Sequence, residues 1–179
     1  MDMEVSLDME QVSLKELQRA VAKDPGDIES RLLLARRYME DHAPGKAISL
    51  LEQVTRLDPN QAEAWLRMGL CWGMAILENL PPVELWGEEK DEEVMVENAL
   101  HALEKAIEYD PEMTGAYNAM ARIFVIRGQD EEAVELFSQS LQLDPTQLDV
   151  VDELKDITGT PAWELLDKET DMGDEEDTF

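Results

Sequence analysis

The sequence predicts an all-α fold, a right-handed α-solenoid of antiparallel helix hairpins with about eight helices. Two observations predict it. The first is punctuation. Asp-Pro pairs end at Pro25, Pro59, Pro111 and Pro145, so the intervals are 34, 52 and 34 residues, and the middle one is the same period with 18 residues added. A fixed period of this size marks a stacked-repeat architecture, in which each unit buries its apolar face only against its neighbours. The second is helical periodicity, present twice between successive marks. In Thr114–Leu143, the residues Tyr117, Met120, Ala121 and Phe124 share one helix face, and Gly128 breaks the run. Asp130 is placed to cap the next helix, and Ala133, Phe137, Ser140 and Leu141 continue the pattern until Pro145 blocks it.

The elements follow in order. Residues 1–9 form an N-terminal extension, and 10–157 form the solenoid. Residues 10–23, EQVSLKELQRAVAK, are the second helix of a half-repeat. Three units span about 28–61, 62–113 and 114–147, and a polar-faced helix at 147–157, QLDVVDELKDI, caps the stack before Gly159 and Pro161 stop it. The middle unit carries an insertion at 76–93. Its first helix runs from Ala62 past Ala75, and Pro81, Pro82 and Gly87 then break it. The second helix resumes around Asp91 and reaches Tyr109, leaving Trp86 at the hairpin tip as a docking candidate. Residues 158–179 are an acidic C-terminal tail holding Trp163, Leu166 and Phe179.

Composition narrows the function classes. With 44% hydrophobic residues in 179, the chain has enough apolar matter for a core. The net charge of −27 opposes binding to nucleic acid or to anionic membrane surfaces. No apolar run approaches the ~20 residues of a membrane span. The start, MDMEVSLDMEQV, lacks the basic and apolar segments of a secretory leader, and the single cysteine, Cys71, excludes an internal disulfide. A cytoplasmic location is expected. The acids are concentrated: residues 78–97 and 160–179 each hold eight acids against one lysine.

The units resemble the tetratricopeptide repeat family. The family's first helix carries a large residue, a large apolar residue, a small residue and an aromatic. These fall on Trp65, Met68, Gly69 and Trp72, on Tyr117, Met120, Ala121 and Phe124, and more loosely on Arg31, Leu34, Ala35 and Tyr38. The small residue of the second helix falls on Ala47, Ala99 and Ala133, and the closing prolines are Pro59, Pro111 and Pro145. Small residues let paired helices touch while large ones fill the space beside them. The resemblance covers residues 28–145 apart from the insertion.

The resemblance implies that the first helices line a concave groove holding a peptide. Matched position by position, the groove takes Glu29, Leu32, Leu33, Arg36 and Met39 from the first unit. The second gives Glu63, Leu66, Arg67, Leu70 and Met74, and the third gives Asn118, Ala119, Arg122, Val125 and Ile126. Arg36, Arg67 and Arg122 would form a basic seam on an apolar floor, suited to a partner with acidic and apolar residues, or to the chain's own acidic tail. The opposite reading pairs these arginines with neighbouring acids of the chain itself. The set used by relatives that grip chaperone carboxylate tails is absent, its places being held by Leu32, Arg36, Arg67, Gly115 and Ala119.

Catalytic chemistry finds little support. The only histidines are His42 and His101. His101 shares a face with Glu97 and Glu104, but a metal centre needs further ligands, and a solvated helix face explains the trio better. The stretch RGQDEEA is a hairpin turn and not a phosphate loop. Cys71, within GLCWG, reads as a small buried hydrophobe. No cofactor, metal or catalytic residue is expected. The functional expectation is a non-enzymatic scaffold or adaptor binding a partner peptide. The alternative is a self-assembling structural protein, or a client chaperone, acting through the tail or the inserted hairpin. Oligomeric state and partner identity are open from the sequence.

Overall fold

The computed structural model describes residues 12–78 and 92–160. Among them are eight α-helices and no strand. The helices are α1 (Leu14–Lys23), α2 (Ile28–Glu40), α3 (Pro44–Leu57), α4 (Ala62–Leu77), α5 (Glu92–Tyr109), α6 (Thr114–Ile126), α7 (Asp130–Leu143) and α8 (Leu148–Thr158). They pack as three hairpins, α2/α3, α4/α5 and α6/α7, with α1 against α2 and α8 against α7. Trp86, Trp163, Leu166 and Phe179 lie outside the described residues, as does the chain between Glu78 and Glu92.

Each Asp-Pro pair makes the same joint. The amide of Asp24, Asp58, Asp110 and Asp144 donates to the carbonyl four residues back, on Ala20, Val54, Ala106 and Ser140, and closes the helix. The aspartate carboxylate accepts from the amide two residues on, at Gly26, Asn60, Glu112 and Thr146, over 2.8–3.2 Å. The proline between them has no N–H to continue the helix. The chain therefore turns within a few residues, using bonds that all lie inside the turn.

The turns inside the first and third hairpins also match. Ala43 N–H donates to the Tyr38 carbonyl at 2.8 Å, and Gln129 N–H to that of Phe124 at 2.9 Å. Both turns need one left-handed residue. The third supplies Gly128 (φ 69°), and the first supplies His42 (φ 51°). Pro44 and Asp130 then occupy the first position of the next helix. Asp130 is thus not the cap: Gln129 holds that place and makes no side-chain capping bond. The carboxylate instead sits in the first turn of α7, where the helix dipole favours it. At the ends of the stack, Ser13 and Glu16 form a reciprocal capping box on α1, and Gly159 (φ 68°) terminates α8.

The core runs along the stack. Leu34, Ala35, Ala47, Leu51, Met68, Cys71, Trp72, Ala99, Leu103 and Met120 belong to one buried cluster spanning α1 to α6. Ala121, Ala133, Phe137, Leu141, Val150 and Leu154 form a second one beneath the cap, and half-buried Phe124 and Leu136 touch both. Gly69 is required by contact between α4 and α5. A Cβ there would stand 2.5 Å from Leu103 Cγ and 3.3 Å from the Ala99 carbonyl oxygen, so only a bare backbone fits unless Leu103 moves.

Candidate functional site

A recess of about 280 Å³ opens where α2, α4 and α6 come together. Met39 contributes from α2, Gly69, Leu70, Gly73, Met74 and Leu77 from α4, and Ala119, Arg122, Ile123 and Ile126 from α6. The walls are almost wholly apolar, and Leu77 (68% exposed) and Ile126 (48% exposed) stand open to solvent. Gly73 differs from Gly69, one turn earlier. A Cβ on Gly73 would meet nothing within 4 Å. A glycine inside a helix costs about 1 kcal/mol relative to alanine, and no close contact within the described chain requires this one. Its effect is to leave bare backbone in the recess.

The structure gathers some of the residues expected in the groove and sends others elsewhere. Met39, Leu70, Met74, Ala119, Arg122 and Ile126 surround the recess. Leu32 and Leu33 pack onto the main core, and half-buried Leu66 lies against α6 near Gly115. Val125 packs on the cluster beneath the cap. Asn118 is buried, and its amide donates to Gln147 Oε1 at 2.6 Å. Gln147 in turn donates to the Ser140 and Asp144 carbonyls, so Asn118 ties the last hairpin to the start of α8. Gly69, Gly73, Leu77 and Ile123 were not read as site residues. The available signal was the pair of glycines four apart on α4, which share a helix face.

The basic seam is not a row of unengaged cations. Arg67 pairs with Glu63 one turn back on α4. Arg36 and Arg37 both reach Glu40, at 3.4 and 3.2 Å. Arg122 reaches across to α8, where its fork takes Glu153 bidentately at 2.6–3.1 Å and Asp149 at 3.3 Å. The bond to Glu153 pushes the Arg122 pKa further above its already high value. The arginines therefore follow the second of the two readings, with carboxylates of the same chain already in their grasp. Two further bonds join neighbouring hairpins at the edges of the middle unit. His42 Nδ1 lies 2.9 Å from Glu78 Oε1, and Arg127 holds both oxygens of Glu93 at 3.0 Å.

Reactive side chains are quiet. Cys71 is buried, and desolvation pushes its thiol pKa up to about 12, so it is protonated at neutral pH. His101 places its ring edge-on to Trp65, with centroids 6.2 Å apart. Among the described residues, no group of three His, Cys, Asp or Glu side chains is placed to hold a metal, and no helix is long and apolar enough to cross a membrane.

Comparison with known proteins matches this architecture. Tetratricopeptide repeat models match residues 13–71 and 96–147. The chain is 28% identical over 130 residues to mouse (Mus musculus) interferon-induced protein with tetratricopeptide repeats 2, covering 72% of this chain and 28% of that protein. It is 25% identical over 140 residues to the human (Homo sapiens) mitochondrial import receptor subunit TOM70, covering 78% of this chain and 20% of the receptor subunit. The chain thus spans less than a third of the length of these curated relatives. Among solved structures, the crystal structure of MamA superposes with a TM-score of 0.66 at 18% identity over 96% of this chain and 95% of that one. The first TPR domain of human RPAP3 does so with a TM-score of 0.62 at 14% identity, over 81% and 98% respectively. These last likenesses concern the fold alone. The joints, the paired small residues and the two matched segments place the chain in the tetratricopeptide repeat family.

Proposed function

We propose that the protein is a non-enzymatic scaffold that holds a segment of a partner protein against α2, α4 and α6. The observation carrying this is the open apolar recess around Gly73, Met74, Leu77 and Ile126. Exposed apolar surface gathered into one concavity is what an anchor side chain fills. Two methionines, Met39 and Met74, give the wall adaptable side chains. The family's general use of such surfaces for protein contacts supports the reading by analogy. The buried, protonated Cys71 and the two exposed histidines argue for a role without catalysis. A reducing compartment, the cytoplasm, suits a chain with one buried thiol.

Photo-crosslinking tests this. A photoreactive residue at Leu77, beside the recess, should trap a discrete partner segment. One at Leu148, equally exposed on the capping helix, should not. Partner adducts at position 148 and none at 77 would remove the groove from consideration. Self-assembly through the tail or the inserted hairpin would rest on residues outside the described ones. Sizing across a concentration range separates it from partner binding.

A further inference from the structure

We infer that the segment held in the recess is cationic: a basic amphipathic peptide that sets one large apolar side chain over Gly73. This rests on the groove reading and adds to it the chemistry of the partner. Three observations lead to it.

The first is the shape of the recess. Gly73 leaves open space where any other residue would project a side chain, and a Cβ there touches nothing. The neighbouring Leu77 and Ile126 are more exposed than a finished apolar wall would leave them. The volume of about 280 Å³ suits one bulky side chain and the backbone that carries it.

The second is the state of the arginines. A ligand carboxylate gains most from a guanidinium whose donors still face water. Here Arg122, the charged residue of the recess wall, is held by two carboxylates of α8, Glu153 and Asp149. An acidic ligand would have to displace both. The cluster of one cation and two anions instead carries a negative balance beside the recess, and Asp149 is 71% exposed in its side chain. Glu78, directly after Leu77, adds a third carboxylate, which meets the imidazole of His42.

The third is the field of the whole molecule. A net charge of −27 repels acidic segments at long range and draws basic ones. Apolar capture at Gly73 and electrostatic attraction at Asp149 and Glu78 would then act on the same peptide: the first gives it a fixed seat, the second its sign.

The test uses the full chain and two synthetic helical peptides. They share the same leucines and one phenylalanine on one face, and carry lysine and arginine, or glutamate, on the other. The basic peptide should bind at least about ten-fold more tightly at low salt, with the gap closing as ionic strength rises. Gly73→Leu should weaken it about ten-fold or more while raising the melting temperature, because leucine favours the helix and its Cβ enters open space within the recess. Loss of binding with a gain of stability cannot come from misfolding. Leu77→Gln, an uncharged change at an exposed position, is the second variant and should weaken binding by removing apolar surface from the recess wall without altering its charge. Equal or tighter binding of the acidic peptide overturns the cationic assignment and leaves the groove reading standing. Preference for the basic peptide that neither variant alters shows attraction to the acidic surface at large and overturns the seat over Gly73. Failure of both peptides to bind overturns this inference together with the groove reading.

Discussion

The indole nitrogen of Trp65 donates to the carbonyl oxygen of Pro59 at 2.7 Å, tying the start of α4 back onto the joint that precedes it. The matching residue in the third unit, Tyr117, donates its hydroxyl to Pro111 at 3.1 Å. In the first unit the place is held by buried Arg31, whose guanidinium donates to the Asp27 carbonyl at 2.9 Å. Three different side chains share one requirement, a bulky body ending in a donor. Tyr117→Phe keeps the ring and removes the donor, and Trp65→Phe removes the donor together with part of the indole. Each should lower unfolding free energy by about 1 kcal/mol, since the prolines are exposed and water can replace the lost partner. Urea unfolding midpoints would measure this, and a loss in neither variant would mean that the bond does not hold the joint.

The two glycines on α4 should respond to alanine with opposite signs. Gly69→Ala drives a methyl group against Leu103 and should cost about 1–3 kcal/mol, and leucine there more. Gly73→Ala enters open space and should stabilise by up to about 1 kcal/mol. Thermal melts of the two variants side by side decide the matter. Equal shifts would mean that the α4/α5 contact is misplaced.

His42 holds a left-handed conformation that its counterpart Gly128 adopts without penalty. His42→Gly should therefore stabilise the protein by about 0.5–1 kcal/mol, less whatever the exposed bond to Glu78 contributes. His42→Ala, which loses the bond but keeps the unfavourable backbone, should be no more stable than wild type. Chemical denaturation of the three proteins gives the ordering, and alanine ranking above glycine would contradict it.

Asp27 caps α2 by accepting from the Ser30 amide at 3.0 Å, and the hydrogen bonds from the Ser30 side chain and then from this amide hold its carboxyl below the ordinary value of 3.8. A carboxylate depressed in the folded state contributes its stability above the unfolded pKa and loses it as pH falls through the folded one. Asp27→Asn keeps a capping oxygen but cannot ionise. Its deficit relative to wild type should be present at pH 7 and shrink below about pH 4. A deficit that stays constant from pH 7 to pH 2 would show that ionisation of this cap is not involved.

Much of the fold was legible because the joints are local. Asp58, Pro59 and Asn60 satisfy one another within three residues, and the small residues Ala47, Ala99 and Ala133 announce helix contact by size alone. The candidate site was legible only in part. Arg122 and Glu153 are 31 residues apart, so their pairing depends on where α8 lands beside α6. Asn118 reads as a polar groove residue until Gln147 is brought over it. Gly69 and Gly73 are identical in sequence terms. Only the position of Leu103 makes one a necessity of packing and leaves the other as bare backbone.

The bonds at Glu78 and Glu93 bear on how the middle unit transmits force. Glu78 closes α4 and is joined to His42 in the first hairpin, whereas Glu93 opens α5 and is joined to Arg127 in the third. Glu78 and Glu93 stand on either side of residues 79–91 in the sequence, and each is braced to a different neighbour. Each brace is exposed and contributes no more than about 1 kcal/mol. Pull applied to that segment by anything attached to it would nevertheless be shared along the stack in both directions, so the three hairpins would bear the load as a single spring.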